Sequence, residues 1–484
     1  MIHSFRKNKS IYFGLAGLLF VCCTKPKFNP EASLKVLPKT YINSSDSTNV
    51  ATINWKQYFT DPILINLIDT ALINNLDVLI AYQKINASHA QIKYAKGLSA
   101  PKINGRIVSG GEKFGGHTMT GVGNFDTNLS KNITSDKHVP DDGAVPEYYL
   151  GLQSSWELDV WGKVRNKRKA ATATYLASVE GKNWIVTNLI TEVATTYYEL
   201  LSLDSEIRII DETIGLQKKQ LDIVVIQKEA GRANELAVNQ FEAQLLQSKI
   251  LKLELNQKII QSENQLNSLL GRYPQPITID SASFTMVLPT EIQVGIPSQL
   301  LSNRPDIKKA ELELKASKAN VLSSKAAFYP SFSITATLGL NSFNPSYIFN
   351  PTSLAYNAFG GLITPLINQS AIKAQFRTAK AEQVEAMYNY QKRILNGYVE
   401  VYNQMVYINN LSQIYDFKNQ QVKVLTASIE TASELFLTGR ATYLEVIVTR
   451  STTLQSKLQL IEIKKKQFTA IVNIYRALGG GWNK

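Results

Sequence analysis

Residue types that perform catalysis or bind metals are few and scattered in this chain. No histidine is spaced with Cys, Asp or Glu as in a metal-binding motif, and the sequence has neither a P-loop nor a nucleophile elbow. Its five methionines form no cluster that would indicate a copper path. We therefore predict a protein that is not an enzyme and that needs no cofactor. The histidines and cysteines are His3, His89, His117, His138, Cys22 and Cys23.

The N-terminus has the pattern of a secretory signal. Three basic residues within the first nine precede the uncharged run Ser10–Cys23, which is too short to span a bilayer as a helix. The two cysteines end this run, as in a bacterial lipoprotein signal. Such signals prefer a small residue before the acylated cysteine, which favours Cys23 over Cys22. A plain signal peptide with incidental cysteines is the alternative.

These features define the N-terminal segments and limit how the chain crosses a membrane. We expect a signal peptide over 1–22 and a lipidated arm over 23–60. After cleavage, no run of 18 apolar residues remains, so a membrane-spanning part would have to consist of strands. The formal charge of +13 comes from Lys and Arg scattered among Glu, Gln and Asn, without the aromatic spacing of a nucleic-acid platform. We therefore expect no nucleic-acid partner.

The strongest signal in the chain is an internal duplication. Residues 231–271 match 439–479 at an offset of 208, with 13 identities in 41 positions. An earlier stretch repeats at an offset of 229, so that Asp77 corresponds to Asp306. Solenoid repeats are only about 20–50 residues long. The chain therefore divides into two large similar units, predicted as 61–271 and 301–484, with a linker over 272–300.

Each unit contains a pair of strand patterns. Apolar and polar residues alternate over 148–158 and 331–341, and less regularly near 102–110 and 355–364. This alternation gives one apolar and one polar face, as in a half-buried sheet or in a membrane barrel with lipid outside and water inside. The first hairpin loop has 37 residues (111–147) and the second about 15. Long polar loops on one side suit the outer face of an outer-membrane barrel.

Each unit also contains a very long helix and a returning helix. Residues 166–230 and 366–438 lack proline, and each stretch would reach roughly 100 Å as a helix. A heptad seam runs from Leu189 to Val224 and is repeated from Ile408 to Phe436, which indicates coiled-coil packing. Gly231 and Gly439 mark the reversals into returning helices over 233–270 and 441–478.

Four strands per chain cannot close a membrane barrel, which needs about eight or more. Open strand edges leave backbone groups unsatisfied in lipid, so several chains would have to share one barrel. The helices are longer than a bilayer is thick and would continue outside it. Periodicity and closure alone do not fix the number of subunits.

Three motifs stand out in the sequence: VGIPSQLLSNRPDI at 294–307, AAFYPSF at 326–332 and WELDVWGK at 156–163. They resemble motifs of TolC-like outer membrane factors, of the NodT or OprM lipoprotein type found in resistance-nodulation-division (RND) efflux systems. The resemblance covers nearly the whole mature chain. It implies an α+β, mainly α fold: a duplicated protomer with a four-stranded share of a trimeric transmembrane β-barrel and a long α-helical coiled-coil periplasmic tunnel.

The resemblance also implies a function and partners. The protein would be the passive outer-membrane channel of a tripartite efflux pump, working as a homotrimer with a periplasmic adaptor (membrane fusion) protein and an inner-membrane RND pump. Outer membrane lipid would surround the strands. The helical tips would meet the adaptor at Gly231, Arg232, Gly439 and Arg440. By spacing from the second glycine, the periplasmic gate would consist of Leu444, Glu445 and Val448.

The motif Arg304-Pro305-Asp306 is interpreted as a helix start rather than a catalytic site. Proline at the first turn has a suitable fixed φ, and a carboxylate beside a helix N-terminus is favoured by about 0.3–1 kcal/mol. Arg304 is free to pair with a neighbouring helix. Two functional alternatives stay open: an outer-membrane channel for type I protein secretion, and a periplasmic coiled-coil scaffold without a channel.

Overall fold

The first repeat is built around two long helices and one pair of strands. The computed structural model describes residues 36–41, 48–139, 143–280, 284, 293–365 and 369–482, so Cys22 and Cys23 lie outside the described residues. The elements of this half are α1 (Pro62–Asn74), α2 (Leu76–Gly97), β1 (Lys102–Glu112), α3 (Met119–Leu129), β2 (Val145–Leu158), α4 (Lys163–Glu229) and α5 (Glu235–Leu269).

The second repeat has the same order of elements, except that α3 has no counterpart and α1 corresponds only to the four-residue helix Leu300–Asn303. It consists of α6 (Pro305–Ala326), β3 (Ser331–Ser342), β4 (Leu354–Ile363), α7 (Gln369–Leu437) and α8 (Tyr443–Ala477). The helices α2 and α6 have 22 residues each, and α5 and α8 have 35 each. The duplication in the sequence is therefore a duplication of structure for both strands and for three helices of each repeat.

The hairpin connections account for the change in the repeat offset. They comprise residues 113–144 in the first half and 343–353 in the second. Their lengths differ by 21 residues, which equals the fall in offset from 229 to 208. The first connection also contains the helix α3, which the sequence pattern did not predict. Thr118 begins this helix, since its hydroxyl accepts a hydrogen bond from the Gly121 amide at 3.1 Å.

The four strands form one antiparallel sheet in the order β1-β2-β3-β4. The register pairs Leu150 with Ile107 on one side and with Leu340 on the other. The outer edges of β1 and β4 have no strand partner within the described residues. A sheet of this kind has two open edges, each with unpaired backbone groups.

The long helices pack through the predicted seam. The seam has eleven positions on α4, spaced alternately by four and three residues from Leu189 to Val224. Eight of them are buried, including Leu200 and Ile210, and the other three are half-buried. On α7 the equivalent seam is less covered: only Leu411 is buried and the remaining positions are half-buried. The seam on α7 thus retains apolar surface that a single chain does not cover.

A buried cluster holds α1, α4 and the end of α8 together. Asp61 caps α1 by accepting hydrogen bonds from the amides of Ile63 and Leu64, and its other oxygen accepts one from the hydroxyl of Tyr197 at 2.7 Å. Around them lie the buried side chains of Leu64, Ile68, Val193, Tyr197 and Tyr475.

Contacts between residues divide the described chain into two compact units. One contains 88–174 and 314–386, which include the sheet, and the other contains 33–87, 175–313 and 387–484. Each sequence repeat contributes to both units, because α4 and α7 continue from one into the other. The domain boundaries drawn from the sequence describe the repeats, and they remain a prediction.

Candidate functional site

The sheet has two chemically different faces, and the apolar one is exposed. Alternate residues of all four strands place large apolar side chains on the same face, as the register requires. In the single chain, Ile107 is 81% exposed, Tyr356 80% and Leu338 53%. The apolar face contains Ile103, Ile107, Leu150, Leu152, Trp156, Leu158, Phe332, Ile334, Leu338, Leu340, Leu354, Tyr356 and Leu362. An apolar surface this continuous indicates a face that another phase or partner covers.

The opposite face is mostly polar and carries few charges. Neutral polar side chains such as Asn104, Gln153, Thr337 and Asn357 form one row across it. In the next row, Arg106 is the only residue with a long side chain. Sequence reasoning missed Arg106, because the alternation near 102–110 is weak and gave no signal for its position.

Two of the sequence motifs form the turns between β2 and α4 and between α6 and β3, and their side chains hold these two turns together. In WELDVWGK, the Asp159 carboxylate accepts hydrogen bonds from the amides of Val164 and Arg165 at 2.8 and 2.7 Å and so caps α4. Gly162 allows the turn through its positive φ of 76°. In AAFYPSF, the Pro330 carbonyl accepts a hydrogen bond from the Trp161 indole at 2.7 Å, and the Tyr329 ring stacks on Trp161 at 4.8 Å. The motifs are therefore structural devices that fit each other.

Both helical tips end in the same way. At the end of α4, the Gly231 amide donates to the Lys228 carbonyl and the Arg232 amide to the Gln227 carbonyl, and the corresponding bonds form at Gly439 and Arg440. The two glycines have φ of 69° and 72°, which completes a Schellman motif. Arg232 and Arg440 are exposed, and neither forms an ion pair with a described residue. Each tip thus presents a free guanidinium group.

The predicted gate residues lie on the first two turns of α8. Leu444 and Val448 are 54% and 53% exposed, whereas Val446 between them is 1% exposed and packs inward. The Glu445 carboxylate accepts a hydrogen bond from the Thr442 amide at 2.9 Å, as in a capping box. Glu445 therefore stabilises the start of α8 as part of a capping box, a structural role that the sequence analysis did not predict. It also lines a groove of about 530 Å³ between α7 and α8.

The Arg304-Pro305-Asp306 motif forms a buried ionic cluster. Arg304 is 3% exposed and binds Asp306 through two hydrogen bonds of 3.0 and 2.9 Å. Its third nitrogen donates to the Glu400 carboxylate on α7 and to the Ala477 carbonyl on α8, both at 2.7 Å. Burial disfavours the charged form, but the two carboxylates outweigh that effect and raise the pKa of Arg304. The helix α6 begins at Pro305.

The first repeat has the same joint with different chemistry. Asn75, at the position of Arg304, donates its side-chain amide to the Leu269 carbonyl at 3.0 Å, and Leu269 occupies the position of Ala477. In both repeats, a carbonyl at the end of the returning helix (α5 or α8) therefore accepts a hydrogen bond from the side chain that precedes the 22-residue helix (α2 or α6). The glycine just beyond that end is equally constrained: a Cβ on Gly271 would lie 2.4 Å from the Asn74 carbonyl.

The described residues contain no group of three or more His, Cys, Asp or Glu side chains arranged to hold a metal ion. Within the same residues, no single helix is both long and apolar enough to cross a membrane. The pair α1 and α2, bent by 41°, meets the length and composition requirement only when taken together. The candidate sites are thus the two faces of the sheet, the tips and the buried joint.

These features define an outer membrane efflux protein, and the chain belongs to that family. The family model described as "Outer membrane efflux protein" matches residues 67–272 and 296–480, one match per repeat. The protein is accordingly one of the outer membrane, as the resemblance of the three motifs implied.

Individual relatives match over nearly their full length. "Cation efflux system protein CusC" of Escherichia coli (strain K12) is 27% identical over 98% of this chain and 99% of its own. "Probable outer membrane lipoprotein SilC" of Salmonella typhimurium is 26% identical over 88% of each chain. A solved structure of CusC superposes with a TM-score of 0.79 at 25% identity, covering 93% of this chain and 99% of that one. The MtrE channel of Neisseria gonorrhoeae gives 0.80 at 21% identity, covering 94% and 98%, and so shares the fold.

Proposed function

We propose that three copies of this chain form the outer-membrane channel of an RND-type efflux pump, through which small molecules pass passively to the exterior. The observation that carries the proposal is the exposed apolar face of the sheet together with its two open edges. In lipid, every strand edge must be paired. Joining β4 of one copy to β1 of the next pairs all edges and turns the apolar face towards lipid.

The family supports three copies, which would give twelve strands and a pore lined by the polar face. The half-buried seam on α7 supports the same assembly, because helices of a neighbouring copy would cover its remaining apolar surface. The helices would form a tunnel in the periplasm. Lipidation at Cys23, with Cys22 as the alternative, would add a membrane anchor to the N-terminal arm.

We assign the adaptor contact to the tips at Gly231 and Gly439. The exposed guanidinium groups of Arg232 and Arg440 would bind carboxylates of the adaptor, since arginine forms bidentate pairs with them. Charge reversal at both arginines should then abolish efflux without affecting membrane insertion. A matching acidic-to-basic change in the adaptor should restore it.

The gate proposal concerns Leu444, Glu445 and Val448 of the three copies. Three Glu445 carboxylates would narrow the entrance and attract hydrated cations, as charged rings do in cation channels. Glu445→Gln is the informative variant, because glutamine can still accept the bond from Thr442 while removing the charge. If cation preference and conductance in planar bilayers stay unchanged, Glu445 is a helix cap and nothing more.

The proposed function is tested by purifying the full-length protein from outer membranes. We expect a trimer by native mass spectrometry, discrete conductance steps in planar bilayers, and lower dye accumulation in cells that also contain the matching adaptor and pump. A monomer without conductance would refute the channel and favour a periplasmic scaffold. A channel that lowers dye accumulation only with an ABC transporter, and not with an RND pump, would refute the RND assignment.

A further inference from the structure

The polar face of the sheet carries an arginine that forms no ion pair with any carboxylate of the described residues. Arg106 lies in the middle of β1, is exposed, and forms no ion pair with a described residue. Its row across the sheet continues with Gly151, Gly339 and Ala355. The rest of the row has almost no side chains of its own, and the exposed guanidinium group lies on the polar side of the sheet.

A tyrosine on the same face supports the arginine. The Arg106 guanidinium lies 5.9 Å from the centroid of the Tyr149 ring, within the range of a cation–π interaction. The ring itself covers the paired glycines: a Cβ on Gly151 would be 2.7 Å from the Tyr149 hydroxyl, and one on Gly339 would be 2.9 Å from its Cζ. The glycines are needed first for the close approach of the two strands, since a Cβ on Gly151 would lie 2.5 Å from the Gly339 Cα, and they also leave space for the ring beside Arg106.

The carboxylates on this face of the sheet are at its ends. Glu147 pairs with Gly110, four residues from Arg106 along β1, which corresponds to about 13 Å. Glu112 is farther away, and Glu157 at the other end is bound to Lys163 at 3.0 Å. A separation of about 13 Å exceeds the Debye length of about 8 Å at physiological salt. Among the described residues, no carboxylate on this face therefore compensates the positive charge of Arg106 in the middle of the sheet.

We infer that Arg106 makes the section of the pore lined by the sheet prefer anionic solutes, in contrast to the cation-attracting entrance proposed at Glu445. The inference rests on the proposed function, in which the polar face lines a pore surrounded by three copies. Three guanidinium groups at one height, inside walls of low dielectric constant, would produce a positive potential that concentrates anions and excludes cations. The favoured solutes carry carboxylate, sulfonate or phosphate groups.

The inference is tested by the reversal potential of the purified channel in planar bilayers under a tenfold KCl gradient. Arg106→Gln should lower the chloride-to-potassium permeability ratio by roughly twofold or more, Arg106→Glu should lower it further, and Arg106→Lys should keep it. Lys131→Gln, in the β1–β2 connection, is the matched control for loss of one positive charge per chain. Each variant is also measured with Glu445→Gln, so that charge at the entrance does not dominate the result.

The outcomes separate this inference from the proposed function. If the unsubstituted protein does not conduct, the channel itself is refuted, and the inference with it. If it conducts but Arg106→Gln and Arg106→Glu leave the ratio unchanged in both backgrounds, the channel stands and the inference fails. The effect should also diminish at 1 M salt, where the Debye length is about 3 Å. A salt-independent effect would contradict an electrostatic origin.

Discussion

Removing the Asp306 carboxylate should destabilise the protein far more than removing its counterpart in the first repeat. Asp306→Ala deletes both hydrogen bonds to Arg304, whose side chain is 3% exposed. Breaking a buried ion pair by removing one partner costs about 3–5 kcal/mol, because a buried charge is left uncompensated. Glu400 remains beside Arg304, which places the expected loss nearer the lower figure.

The duplication supplies the control. Asp77 occupies the equivalent position on α2 but is exposed, and it forms no ion pair within the described residues. Its carboxylate contributes only the favourable interaction with the helix N-terminus, about 0.3–1 kcal/mol. We therefore expect Asp306→Ala to cost at least about 2 kcal/mol more in unfolding free energy than Asp77→Ala.

The measurement is urea unfolding of the purified, detergent-solubilised protein, followed by the helical circular dichroism signal. A third variant, Arg304→Met with Asp306→Ala, removes both charges and should cost less than the sum of its two single changes. Equal losses for Asp306→Ala and Asp77→Ala, or strict additivity in the double variant, would refute the assignment of a buried ionic joint.

Three further changes have defined outcomes in the same unfolding assay. Gly439→Ala should cost about 1 kcal/mol, since φ of 72° is unfavourable for alanine but no atom lies within 4 Å of the new Cβ. Gly479→Ala should cost more, about 3 kcal/mol or above, because its Cβ would also lie 2.5 Å from the Asn303 carbonyl; equal costs would contradict this. Burial and the nearby Glu462 raise the pKa of Glu206, so its ionised form opposes folding above that pKa. Glu206→Gln should stabilise the protein at pH 8, and the gain should vanish as the pH falls through the folded pKa towards the ordinary carboxyl range.

The sequence predicts the regular elements well, because each has a physical signal of its own. The absence of proline and a sustained heptad seam predict the bounds of α4 and α7 to within a few residues of those in the structure. Both helices end just before a glycine with positive φ. The strands 331–341 and 148–158 are similarly defined by alternation. The helix α3 gave no such signal, since its sequence contains two glycines together with Thr and Asn, which are poor helix formers.

The sites were harder to predict because their chemistry depends on partners distant in sequence. The motif at Arg304 indicated a helix start, but Glu400 and the Ala477 carbonyl, which complete the joint, lie 96 and 173 residues away. Arg106 is notable because the residues in its row across the sheet are neutral, and only the strand register shows which residues share that row. Glu445 is an exception, because its bond to Thr442 is local and the Thr-x-x-Glu spacing of a capping box is present in the sequence.

The equal lengths of the returning helices bear on how many contacts a partner can make. Both have 35 residues and begin beside the same Gly-Arg-Ala sequence. In the adaptor contact proposed above, each chain would therefore offer two similar binding motifs, and a partner could use the same residues to contact Gly-Arg-Ala at either tip. In a trimer the valency would be six, and weak binding at each tip would add up to a firm attachment through effective concentration. A partner that carries several copies of a modest contact would therefore hold this rim better than a single tight binder.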